Sequence, residues 1–254
     1  MIKKTIFIVS VFFFTNLLYA QNIKIINKYT FREVNNLLKS SISSDVLSDW
    51  KKIVNDYNFR ITNISKSKYN IDISSIKNTT SLSLQGRYFN CRMNAFLLVK
   101  KDILEYDFKI EQIEPLVEVE LNNYRKYGIE LNKKQKYIYG ILFSTIYLSN
   151  TSNSNEILEQ KYEKLKMKKS LSNILIVNEV YPNAIAVTHA ALIISNGDDT
   201  VSIVEKLSPF DPFIVVNIKK SDLYNYYKDI LSTTGHLVIT IGNEILKNKE
   251  NSTL

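Results

Sequence analysis

The chain has 254 residues, a formal charge of +8, 45% hydrophobic residues and one cysteine. That length supplies a core without any metal or disulfide staple, and a single cysteine excludes an internal disulfide. The positive charge is spread among acids except at Lys164-Leu165-Lys166-Met167-Lys168-Lys169. That run reads as a solvated helix face, so the composition argues against a nucleic-acid binder and leaves only a weak attraction to an anionic envelope surface.

In chain order, Met1-Ile2-Lys3-Lys4 precedes an apolar run from Ile6 to Phe14 and a small residue at Ala20. This is the pattern of a secretory signal peptide over 1–20, with an uncleaved anchor as the alternative. The apolar stretch is short for a bilayer span of about 20 residues. After cleavage no membrane-spanning segment is expected, and the protein would be exported to the periplasm or the cell exterior. Residues 21–254 read as one α+β domain, with a helical lobe over about 28–170 and a β-rich lobe over about 171–246.

Helical spacing appears at Tyr29 to Ser40 and at Asp45 to Tyr57, with Asp45 as an N-cap. From Phe59 to Gln85 the chain is polar, with short alternations such as Tyr69, Ile71 and Ile73, and reads as loops or a short strand. Met93 to Phe108, Glu111 to Tyr127, Lys133 to Leu148 and Glu156 to Lys169 follow as predicted helices. Beyond residue 172 the period becomes extended, with strands at Asn173 to Val180, Ile185 to Ser195, Val201 to Leu207, Phe213 to Ile218 and His236 to Ile241. Asn196-Gly197-Asp198-Asp199 is a hairpin turn between two of them, and Ser221 to Leu231 is a short helix.

The single thiol, Cys91, stands where the loop Gly86 to Asn90 turns into an apolar-periodic segment. At a helix N-terminus the unpaired amides and the helix dipole favour the thiolate, the nucleophilic form. Cys91 is therefore either a nucleophile or a buried core residue. His189 lies mid-strand, on the face shared by Val187 and Ala191 by alternation. If the strands pair through the Asn196 to Asp199 turn, residues near 190 and 205 oppose each other, which brings Glu205 beside the imidazole. Cys91, His189 and Glu205 then form a nucleophile, base and orienter. The other readings are a core histidine and an edge or salt-bridge glutamate. Arg87 and Arg92 flank the thiol and would lower its proton affinity or hold an acidic substrate, unless they are solvated or paired. Asn90 serves an oxyanion site or the helix cap. Tyr224-Asn225-Tyr226-Tyr227 reads as helix packing, with sugar stacking as the alternative. No phosphate loop, dinucleotide fingerprint or histidine-cysteine cluster points to a cofactor or metal.

A cysteine opening a helix in Asn90-Cys91-Arg92, followed by the strand Thr188-His189-Ala190-Ala191-Leu192-Ile193 and a polar residue on the next strand, resembles the papain-like cysteine peptidases. It is most similar to the NlpC-type cell-wall peptidases and related amidases. That resemblance implies amide hydrolysis or acyl transfer, a peptide or cell-wall amide substrate, and a papain-like arrangement of helix and sheet. The chain departs from the NlpC-type pattern in its alanines after His189 and in its acidic third member. The Asn-Cys-Arg start, the His-bearing strand and the Glu205-Lys206 strand also resemble an uncharacterised domain family of exported bacterial proteins. A non-catalytic exported binding protein of the same fold is the alternative function.

Overall fold

A computed structural model describes residues 23–246 except 28, 61–88, 111–112, 150, 171, 198, 210 and 232–233. The expected signal segment, Gly86, Arg87 and the polar stretch with Tyr69, Ile71 and Ile73 lie outside the described residues.

The fold is α+β, with a mainly antiparallel sheet. Strand β1 (Ile23–Ile25) leads to helices α1 (Phe31–Lys39), α2 (Ser44–Arg60) and α3 (Cys91–Val99), then strand β2 (Ile103–Tyr106) and helices α4 (Pro115–Lys126) and α5 (Lys133–Phe143). Strand β3 (Ile146–Tyr147), helix α6 (Ser154–Glu163) and strand β4 (Leu165–Met167) complete the helical part. The main strands are β5 (Ser172–Tyr181), β6 (Ala184–Gly197), β7 (Thr200–Lys206) and β8 (Phe213–Lys219). Helix α7 (Leu223–Leu231) and strands β9 (His236–Ile241) and β10 (Glu244–Leu246) follow. The sheet order is β1-β8-β7-β6-β5-β9-β10, with β3 on β6, and β2 pairs separately with β4.

Three predicted helices are shorter than their apolar periodicity suggests. Each ends before a short strand: β2 after α3, β3 after α5, and β4 after α6. Ile103 and Leu165 at the ends of the β2–β4 pair are buried, so tertiary burial takes these β-branched and apolar residues out of the helical stripe. The basic run over 164–169 accordingly contains the short strand β4 and is not a helix face. Asp45 lies inside the first turn of α2 and pairs with Lys101 at 2.5 Å, instead of capping the helix.

Every residue of α3 is buried. A helix buried on all sides belongs in a core, and α3 lies against β6 with α2, β5 and β7 as further neighbours. The full burial of Ala190 and Ala191, small residues on β6, suits that close approach. Asn94 ties the layers together: Trp50 Nε1 of α2 donates to its Oδ1 at 2.9 Å, and its Nδ2 donates to the Val204 carbonyl of β7 at 3.2 Å.

The position of α7 depends on a close approach at its far end. Glu179 of β5 accepts the backbone N–H groups of Thr234 and Gly235 at 3.0 and 2.6 Å. A Cβ at Gly235 would lie 2.5 Å from Glu179 Cγ, so glycine is required for the loop that joins α7 to β9.

Candidate active site

Cys91 is the first residue of α3. The Asn90 side chain accepts the Met93 N–H at 3.0 Å and so caps the helix, a contact worth about 1 kcal/mol. Cys91 is 8% exposed, while His189 and Glu205 are fully buried.

The hairpin of β6 and β7 closes at Gly197 opposite Thr200 and runs to Leu192 opposite Val204. There the pairing stops, although β7 continues along β8 to Lys206 and β6 continues along β5 to Ala184. The N-terminal turns of α3 meet the sheet at this split. The Asn94 amide takes the Val204 carbonyl, and the Ala190 backbone N–H favours the Cys91 thiolate. The sequence-based pairing of 190 with 205 is one residue from this register.

A β-bulge at Thr188 corrects the expected alternation. His189 opposes Val177 and Val187 opposes Asn178, adjacent residues of β5 that face opposite sides. His189 and Val187 therefore do not share a face. The bulge interrupts the period that would have placed them together.

His189 Nε2 and Glu205 Oε2 are 2.7 Å apart. Glu205 Oε2 also accepts from the Tyr227 hydroxyl at 3.0 Å, and Oε1 accepts from the Tyr226 hydroxyl. The Tyr227 ring lies 5.3 Å from the imidazole, centroid to centroid. Tyr226 and Tyr227 of α7 thus hold the carboxylate, an inward role that favours the packing reading of this cluster over sugar stacking. With Nε2 occupied, Nδ1 is the nitrogen left for the thiol. Among the described residues Nδ1 has no hydrogen-bond partner, and Cys91 acts on the ring through charge.

The electrostatics favour a charged pair. Burial pushes the Cys91 thiol up, but the His189 imidazolium, the Arg92 charge and the Ala190 N–H outweigh it and leave the thiol below its ordinary value. Burial likewise opposes charge on His189. The Cys91 thiolate and the Glu205 carboxylate prevail, and its pKa is raised to about 10.

Asn90 and Arg92 are committed to the interior. Glu120 of α4 is fully buried, and its Oε1 accepts Asn90 Nδ2, Arg92 Nε at 3.1 Å and Arg92 Nη2 at 2.5 Å. Tyr139 of α5 donates to Glu120 Oε2 at 2.6 Å, and Arg92 Nη1 donates to the Phe143 carbonyl at 3.3 Å. Sequence reasoning missed Glu120, although a signal existed: it shares the stripe of Val117, Leu121 and Tyr124, at helical spacings that face the core. On the other side of β7, Lys206 is fully buried, donates to the Asp211 carbonyl and lies 3.7 Å over the Tyr57 ring. Burial pushes this amine well below its ordinary value, against the opposing charges of Asp211 and Cys91.

Among the described residues no cluster of histidine, cysteine, aspartate and glutamate could hold a metal ion, and no helix is long and apolar enough to cross a membrane. No curated protein and no solved structure matches the chain. A family model described as Domain of unknown function (DUF4300) matches residues 21–235, and the chain belongs to that family.

Proposed function

We propose that the protein is a thiol-dependent hydrolase or acyl transferase acting on an amide bond, with Cys91 as nucleophile, His189 as base and Glu205 as orienter. The observation that carries this reading is the fully buried imidazole of His189, held 2.7 Å from the Glu205 carboxylate, with the charges of Cys91 and His189 favouring each other. The thiolate attacks the carbonyl carbon, and the imidazolium returns a proton to the leaving amine as the carbon–nitrogen bond breaks. Water, deprotonated by the imidazole, then releases the acid and regenerates the thiol; in transfer, an amine takes its place. Glu205 fixes the ring orientation and the tautomer, and Tyr226 and Tyr227 hold Glu205.

A papain-like placement of a helix-borne cysteine against a strand-borne histidine is part of the proposal, supported by the order of the residues along the chain. The substrate class, peptidoglycan stem peptide or another envelope amide, rests on that resemblance and on the export-type segment over 1–20. The low exposure of Cys91, 8%, favours a second reading, a non-catalytic exported binding protein. Incubation with peptidoglycan stem peptides and with aminoacyl p-nitroanilides, followed by intact mass, separates the two. The enzyme reading expects product and a transient acyl adduct that is lost in Cys91→Ala; unchanged substrates with no adduct favour the binding protein.

A further inference from the structure

Glu120 binds both residues that flank the thiol. Its Oε1 receives Asn90 from one side of Cys91 and Arg92 from the other, and Tyr139 completes its second oxygen. The carboxylate is fully buried, and the Arg92 side chain is 10% exposed, so solvent screens this pair little. A guanidinium on the residue next to a thiol would, if alone, hold the thiolate by itself. It is not alone, because its charge is met by Glu120 through two nitrogens.

We propose that Glu120 is a positioning residue for the thiol: it pins the first turn of α3 at Asn90 and Arg92, and it neutralises Arg92 so that His189 is the cation that governs the sulfur. The proposal rests on Cys91 being the reactive thiol of the reading above. The charged and titratable groups that act on the sulfur are His189 from β6, Lys206 from β7, Tyr227 from α7 and Arg92 from α3 itself, and Glu205 of β7 acts on it through His189. Glu120 from α4 and Tyr139 from α5 act on it through Arg92. Of these, Arg92 is the cation nearest in sequence. Its counter-ion therefore decides whether the thiolate depends on the histidine.

The chain has one cysteine, so alkylation by iodoacetamide, followed by mass over a range of pH, reports Cys91 alone. In Glu120→Gln the uncompensated guanidinium lowers the midpoint of the rate profile by on the order of half a pH unit. In Arg92→Gln the uncompensated carboxylate raises it by a similar amount. Shifts of opposite sign support the proposal, whereas a merely structural contact would move neither midpoint in a folded variant. Because removing one partner of a buried pair can unfold a protein, near-UV circular dichroism selects the folded variants, and either one alone decides. An unmoved midpoint, or one moved in the wrong direction, overturns the role of Glu120. His189→Ala in the same series keeps the two ideas apart: an unchanged profile there rejects the Cys91–His189 pair, whatever the Glu120 variants do.

Discussion

His189 Nε2 lies 2.7 Å from Glu205 Oε2 with neither side chain exposed, and the Cys91 thiolate is the second negative charge that favours the imidazolium. The imidazole therefore has an acid at one nitrogen, and in the proposed mechanism the other serves the thiol. Two neutral partners could not hold a buried imidazolium, but two acids can.

The charge state of His189 is the first consequence. Its folded pKa of about 10 lies above the ordinary 6.5, so the stability it contributes is fully present below about 6.5 and is lost as pH rises through about 10. NMR of ring-labelled histidine should show His189 as imidazolium at pH 8, and Cys91→Ser should bring its titration down. A wild-type ring that titrates near 6.5 contradicts the charged pair.

Tyr226→Phe removes the donor to Glu205 Oε1 and leaves a buried carboxylate oxygen short of a partner. Urea denaturation should show a loss of roughly 1–3 kcal/mol, the cost of a buried acceptor left without its donor. No measurable loss would mean that Glu205 does not need this hydroxyl.

Lys161 shows the opposite pH slope. Its amine is fully buried with no hydrogen-bond partner among the described residues, and burial pushes it down to about 7 against the opposing charge of Glu114. The penalty for burying it is absent above about 10.5, grows as pH falls to about 7 and is constant below that. Lys161→Met should stabilise the protein, by on the order of 2 kcal/mol at pH 7 and by less at pH 10. Thermal denaturation at the two pH values checks this, and a destabilised variant would imply a partner for the amine.

Much of this site is legible in the sequence. Helix-period apolar residues after Asn90-Cys91 announce α3, and the turn at 196–199 sets the β6–β7 register to within one residue, which is enough to bring Glu205 to His189. The bulge at Thr188 is not legible, because an extra residue in a β-branched strand leaves no compositional mark. Glu120, Tyr226 and Tyr227 come from α4 and α7, whose distance from Cys91 or Glu205 along the chain hides the contacts. Only the inward stripe of α4 marked Glu120 as a buried acid in need of partners. The short strands β2, β3 and β4 escaped for a related reason: two to four residues carry too little period to outweigh the helix beside them.

The most direct test of the central claim is the pH dependence of iodoacetamide alkylation at Cys91 in the folded wild type and in His189→Ala. The pair described here expects alkylation to persist well below the ordinary thiol range in the wild type, and the His189→Ala midpoint to move up by a pH unit or more, about the effect of losing an adjacent cation. A thiol that stays unreactive while the protein is folded, or a profile that His189→Ala leaves in place, would contradict it.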